Sequence, residues 1–136
     1  MASIELRGVA EPAATLIAMV GLHMVTAIAL IAVNAVAGGV GVVYYRLRAD
    51  PPRVFAHLVA LGQVLLIGQG AIGLLLLSGG RRAPDRLHYL YGALALAAVL
   101  SPWIYAPPDE RRRLLWFAFA ALLATALAVR AFITGS

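Results

Sequence analysis

Four long apolar stretches, separated by short loops that carry arginine, occupy almost the whole chain. They run approximately over 13–43, 54–77, 87–105 and 114–133. A helix needs ~20 apolar residues to cross a hydrocarbon core ~30 Å thick, and each stretch is at or near that length. Lipid offers no water to a backbone N–H or C=O, so each stretch must close its hydrogen bonds on itself, as a helix. The expected fold class is all-α: an integral membrane four-helix antiparallel bundle, one domain over 1–136.

With 136 residues, 62% hydrophobic and 12% charged, little chain remains for a soluble domain. A net charge of +5 raises the question of nucleic acid. All eleven basic residues are arginines, however, and nearly all lie in loops or at helix ends, where arginine sets topology and meets lipid headgroups. The expected partner is the lipid bilayer and not nucleic acid. The chain has no cysteine, which excludes thiol–disulfide exchange and thiolate metal sites. Residues 1–11 carry Glu5, Arg7 and Glu11 where a signal peptide would be basic. The first apolar run, at roughly 31 residues, is also too long for a signal peptide, so it is expected to remain as a span.

Arg46, Arg48, Arg53, Arg111, Arg112 and Arg113 belong to one side of such a bundle. Arg7, Arg81, Arg82, Arg86 and Arg130 belong to the other. This near-even division sets orientation only weakly, with both termini outside. Asp50-Pro51-Pro52, Gly79-Gly80, Pro84 and Pro107-Pro108 punctuate the loops, because proline lacks a donor and restricts the residue before it. Connections this short make consecutive helices antiparallel neighbours. The two halves are also distantly alike. Each has a histidine near the start of a span (His23, His88), a run ending in tyrosine, a double proline with arginines, and a second span closing on Ser78-Gly79 or Thr134-Gly135. A duplication of this kind would be a parallel repeat about the membrane normal.

Polar groups inside spans turn to the bundle interior more often than to lipid. His23 and Asn34 are eleven residues apart, a spacing that returns to within ~20° on a helix, and Ala27, Ala37, Gly38 and Gly41 lie close to that face. Gln69 shares a face with Gly62 and Gly73, while Gln63 is rotated away and serves a different neighbour. Ala120, Ala124 and Ala128 form a second close-packing ridge. The carboxylates Glu5, Glu11, Asp50, Asp85, Asp109 and Glu110 all lie outside the spans. A proton-coupled transporter keeps one at membrane depth, as small four-helix multidrug exporters do in their first helix, so that class is disfavoured. Paired intramembrane aspartates for proteolysis are absent too.

His57 reads as an interfacial residue near one surface. Counted back from Tyr44–Arg46 at ~1.5 Å per residue, His23 falls near the opposite boundary, the level at which His88 opens the third span. Two neutral imidazoles converging from facing helices, lined by Gly92, Ala27 and other small residues, form what a b-type haem requires. Met19 and Met24, within one turn of His23, are further axial candidates. Zinc is disfavoured, since no His-x-x-x-His pair occurs.

The stretch from Gln63 through Ser78-Gly79 into Leu87-His88-Tyr89-Leu90-Tyr91-Gly92 resembles small four-span bacterial membrane proteins bearing an L-H-Y-x-Y-G run. That resemblance covers spans two to four and implies a multi-pass protein of the bacterial cell membrane. In layout the chain is also loosely similar to four-helix b-type cytochromes, with one convincing ligand pair where they often have more. Three functional readings stand. The first is a haem-b electron-transfer bundle ligated by His23 and His88. The second is a cofactor-free accessory or assembly subunit that packs against other membrane subunits or against its own copies. The third is a neutral-solute transporter or channel lined by Asn34, Gln63 and Gln69. An enzyme is least supported, for want of a nucleophile–base pair or an intramembrane acid.

Overall fold

A computed structural model describes residues 2–136, with side chains from residue 12 onward. The described residues form five helices and no strand: α1 (Ala2–Leu47), α2 (Arg53–Ser78), α3 (Leu87–Leu100), α4 (Pro102–Tyr105) and α5 (Glu110–Gly135). Four segments are long and apolar enough to cross a membrane: Pro12–Leu47, Arg53–Ser78, Leu87–Tyr105 and Glu110–Gly135.

Two boundaries differ from the sequence expectation, and each has a local cause. The first helix runs past the expected end near 43 and stops at Leu47. Ala49 N donates to Tyr44 O at 3.2 Å and Arg48 N to Tyr45 O at 3.3 Å, with Arg48 in the left-handed region at φ 54°. That pair of bonds is a Schellman turn, and it satisfies carbonyls that the helix end leaves free. The third stretch is not one helix but two, because Pro102 has no N–H to give to Ala98 O. Ser101 repairs part of this break by donating its hydroxyl to Ala98 O at 2.8 Å.

Consecutive helices run antiparallel. Along the α1–α2 seam, Gly41 meets Phe55, Asn34 meets Gly62, and His23 meets Gly73. Ascending one helix therefore descends the other. Around the bundle the order is α1, α2, α3, α5, and α5 closes the ring onto α1. The first and third spans thus stand at opposite corners.

Alanines make up about half of the buried core, beside Leu30, Leu66 and Val99, and large apolar residues cover the exterior. Ala37, Ala95, Ala118 and Ala124 are fully buried, whereas Ile104 is 76% exposed, Ile17 71% and Leu74 68%. In water such a surface would be an aggregation liability. Close approach is the gain inside: Gly38 and Gly41 lie where a Cβ would strike Leu122 and Ala118 of α5. Helices in lipid associate through this kind of van der Waals contact between small residues. The expected ridge Ala120, Ala124, Ala128 is buried along its length.

Candidate functional site

At the end of the bundle where α2 and α5 finish and α3 begins, two imidazoles meet. The rings of His23 and His88 have centroids 6.0 Å apart and planes inclined at 60°. They come from opposite corners, so the contact crosses the bundle and does not run along a helix seam. His88 is the second residue of α3, and its ring reaches α5, where Nδ1 donates to Ala131 O at 2.8 Å. The carbonyl can only accept, so Nδ1 carries the proton and the Nε2 lone pair is left free. Tyr89 stands edge-on to His88 at 5.5 Å and anchors the preceding loop by accepting Ala83 N–H at 2.9 Å.

His23 is held through its backbone. Gln69 of α2 donates from Nε2 to His23 O at 2.9 Å, and the Gln69 carbonyl accepts from the Thr26 hydroxyl. The His23 ring is half-buried, and among the described residues its Nδ1 is buried without a hydrogen-bond partner. An orphaned buried polar atom is costly unless something completes it.

Two glycines give the rings their room. A Cβ on Gly135 would lie 2.4 Å from His88 Nδ1, so no side chain fits there while the ring holds its place. A Cβ on Gly73 would touch His23 Cε1 at 3.4 Å, an ordinary contact. One turn along α3 from His88, Gly92 faces open space. Gly135 and the Ala131 carbonyl were not singled out by the sequence as site components. Gly135 reads there as a helix end, and a backbone acceptor leaves no signal in a side-chain pattern.

The other candidates lie elsewhere. Asn34 is 1% exposed and packs against Gly62, but its Nδ2 donates within its own helix to Leu30 O at 2.8 Å, and its Oδ1 has no partner among the described residues. Gln63 crosses to the third span, donating to Val99 O at 3.2 Å beside the proline break. The three amides therefore serve separate contacts. His57 is exposed and donates to Arg53 O at 2.9 Å, with its ring on the outer surface at the far end. Met24 is 52% exposed.

Among the described residues no group of three or more His, Cys, Asp or Glu could hold a metal ion. A bare ion such as zinc calls for about four protein or water ligands. Two imidazoles suit instead a metal that arrives with equatorial donors of its own, which is the chemistry of haem. Ring centres 6.0 Å apart with planes inclined at 60° are those of an edge-to-face ring contact. Compared with known proteins, the chain matches no family model, no curated protein and no solved structure.

Proposed function

We propose that this chain is a multi-pass membrane protein that binds one haem b through His23 and His88 and passes electrons near one face of the bilayer. The membrane part is supported by four helices of spanning length whose large apolar side chains face outward. The haem part rests on one observation: two imidazoles from opposite helices meet at 6.0 Å.

Each residue around the pair has a task in this reading. Ala131 O fixes the His88 tautomer and ring angle, as carbonyls commonly do for ligating histidines. Gln69 and Thr26 hold α1 in register so that His23 arrives at the same level. Gly73 and Gly135 keep side chains out of the ring positions, and Gly92 leaves the adjoining face of α3 open. Haem, when bound, supplies a one-electron iron couple whose potential follows from its axial ligands and burial.

The test is spectral. Full-length protein purified from cells supplied with haem should show a Soret band that is lost in both His23→Ala and His88→Ala and kept in His57→Ala. A native protein without a Soret band would reject the proposal in favour of a cofactor-free accessory subunit.

A further inference from the structure

At the opposite end of the bundle, a groove of about 260 Å³ runs between α2, α4 and α5. Phe55, Ala56, Val59 and Ala60 form its α2 side, and Trp103 and Phe117 its other wall. Gln63 closes the deep end, where its amide is engaged with Val99 O. Toward the loops the groove continues over Phe55, Arg113 and Phe117 to Pro51 and Glu110. The groove is smaller than the ~300–1,000 Å³ that encloses a whole small molecule, and it is open along one side. It suits part of a chain, not a complete cofactor.

Arg113 is the cation among the lining residues. The Arg113 guanidinium stands 6.0 Å from the Trp103 ring centre and 5.8 Å from that of Phe117, and those two rings pack edge to face at 5.4 Å. Among the described residues the Arg113 guanidinium meets these rings and no carboxylate, so its charge is left unpaired. Arg111 and Arg112 precede it in the same turn, and Arg46, Arg48 and Arg53 lie at the same end. Glu110 is the one acid lining the groove, at its loop end. The six arginines at this end outnumber its three acids, Asp50, Asp109 and Glu110, so the balance beside the apolar groove is positive.

We infer that this groove binds one anionic phospholipid, with an acyl chain along Phe55, Val59 and Phe117 and the phosphate on Arg113. Charge complementarity and depth select this occupant. Arg113 stands in the first turn of α5, one helical turn on the loop side of Phe117, and the apolar floor runs from there along α2 to Gln63. The inference rests on the membrane part of the reading above and is independent of haem.

Delipidated full-length protein in neutral detergent would be titrated with phosphatidylglycerol and, separately, with phosphatidylcholine of the same chains, and bound lipid counted by native mass spectrometry. One phosphatidylglycerol should bind at least about fivefold more tightly than phosphatidylcholine, the factor expected from one arginine near the surface. Arg113→Gln should bring the two lipids to parity, whereas Arg112→Gln, outside the groove, should keep the preference. Ala60→Trp, at an exposed position that fills the groove, should weaken both lipids with helix content unchanged. Equal binding of the two lipids by native protein would overturn the inference. So would a preference that survives Arg113→Gln, or binding that Ala60→Trp leaves intact. None of these outcomes depends on a Soret band, so the site fails or stands apart from the haem proposal.

Discussion

Gln69 on α2 donates its side-chain amide to the backbone carbonyl of His23 on α1 at 2.9 Å, so a glutamine positions a histidine without touching its ring. The same glutamine takes the Thr26 hydroxyl, which also lies 2.8 Å from Leu22 O. Gln69→Leu removes both crossing contacts and leaves Thr26 its own helix to bond with. Interhelical hydrogen bonds in membranes average ~0.6 kcal/mol and reach ~1.7 kcal/mol. The variant should fold with unchanged helicity and lose stability within that range, read from reversible unfolding in mixed micelles. A variant as stable as native protein would show that the contact carries no energy.

Gly62 and Asn34 are fitted to one another. A Cβ on Gly62 would lie 2.6 Å from Asn34 Oδ1 and 2.9 Å from Cγ and Nδ2. Gly62→Ala should therefore destabilise the bundle by about 1–3 kcal/mol, the usual cost of overpacking. Asn34→Ala opens the space that the new methyl needs, so the double variant should be more stable than the sum of the singles predicts. A double-mutant cycle measures this directly, and strict additivity would contradict the fit. Asn34→Leu is the complementary case. It removes a buried oxygen that has no partner among the described residues, so it should be neutral or stabilising despite the complete burial of the site.

The two long hairpin ends share one geometry with different residues. After α2, Arg81 N bonds to Leu76 O at 2.9 Å and Gly80 N to Leu77 O at 3.1 Å, with Gly80 at φ 82°. After α1 the equivalent left-handed position is Arg48. A side chain there costs ~1–2 kcal/mol that glycine avoids. Arg48→Gly should raise the melting temperature in detergent, and Gly80→Ala should lower it. Opposite signs are required; a fall in both variants would mean that the Arg48 side chain holds a contact worth more than the strain.

These ends also show what the sequence could and could not convey. Apolar length was enough to locate four helices and to place His23 and His88 at one level, because rise per residue is nearly invariant. Helix termini were less legible. Apolar length put the end of the first span near 43, yet α1 runs on to Leu47 and ends in a Schellman turn closed on an arginine, a residue that gives no turn signal. Pro102 was hidden for the opposite reason: hydropathy counts its ring as ordinary span, while the missing N–H breaks the helix. The face of Gln69 followed from periodicity. The hydrogen bond of Asn34 within its own turn did not, since a residue can face a neighbour and still bond locally. The partner of His88 depends on the rotation of α5, which is set by packing against α1 and α3.

That partner gives the most direct probe of the histidine pair. Gly135 faces the His88 ring so closely that a Cβ would lie 2.4 Å from Nδ1 and 2.8 Å from Cε1, whereas a Cβ on Gly73 would meet His23 Cε1 at 3.4 Å. Gly135→Ala must therefore displace the imidazole or the last turn of α5, and either movement breaks the bond from Nδ1 to Ala131 O. Gly73→Ala adds an ordinary contact and should leave the pair in place. If the pair ligates haem b, Gly135→Ala should lower haem occupancy or shift the Soret maximum, by the ~10–100-fold loss of affinity typical when a ligating histidine loses its hydrogen-bond acceptor. Gly73→Ala should keep the native spectrum. Independently of any cofactor, the His88 ring nitrogen resonances in ¹⁵N-labelled protein should move in Gly135→Ala and stay in Gly73→Ala. The same response in both variants would show that the clearance at Gly135 does not set the His88 ring, and the assignment of its Nδ1 proton to Ala131 would have to be abandoned.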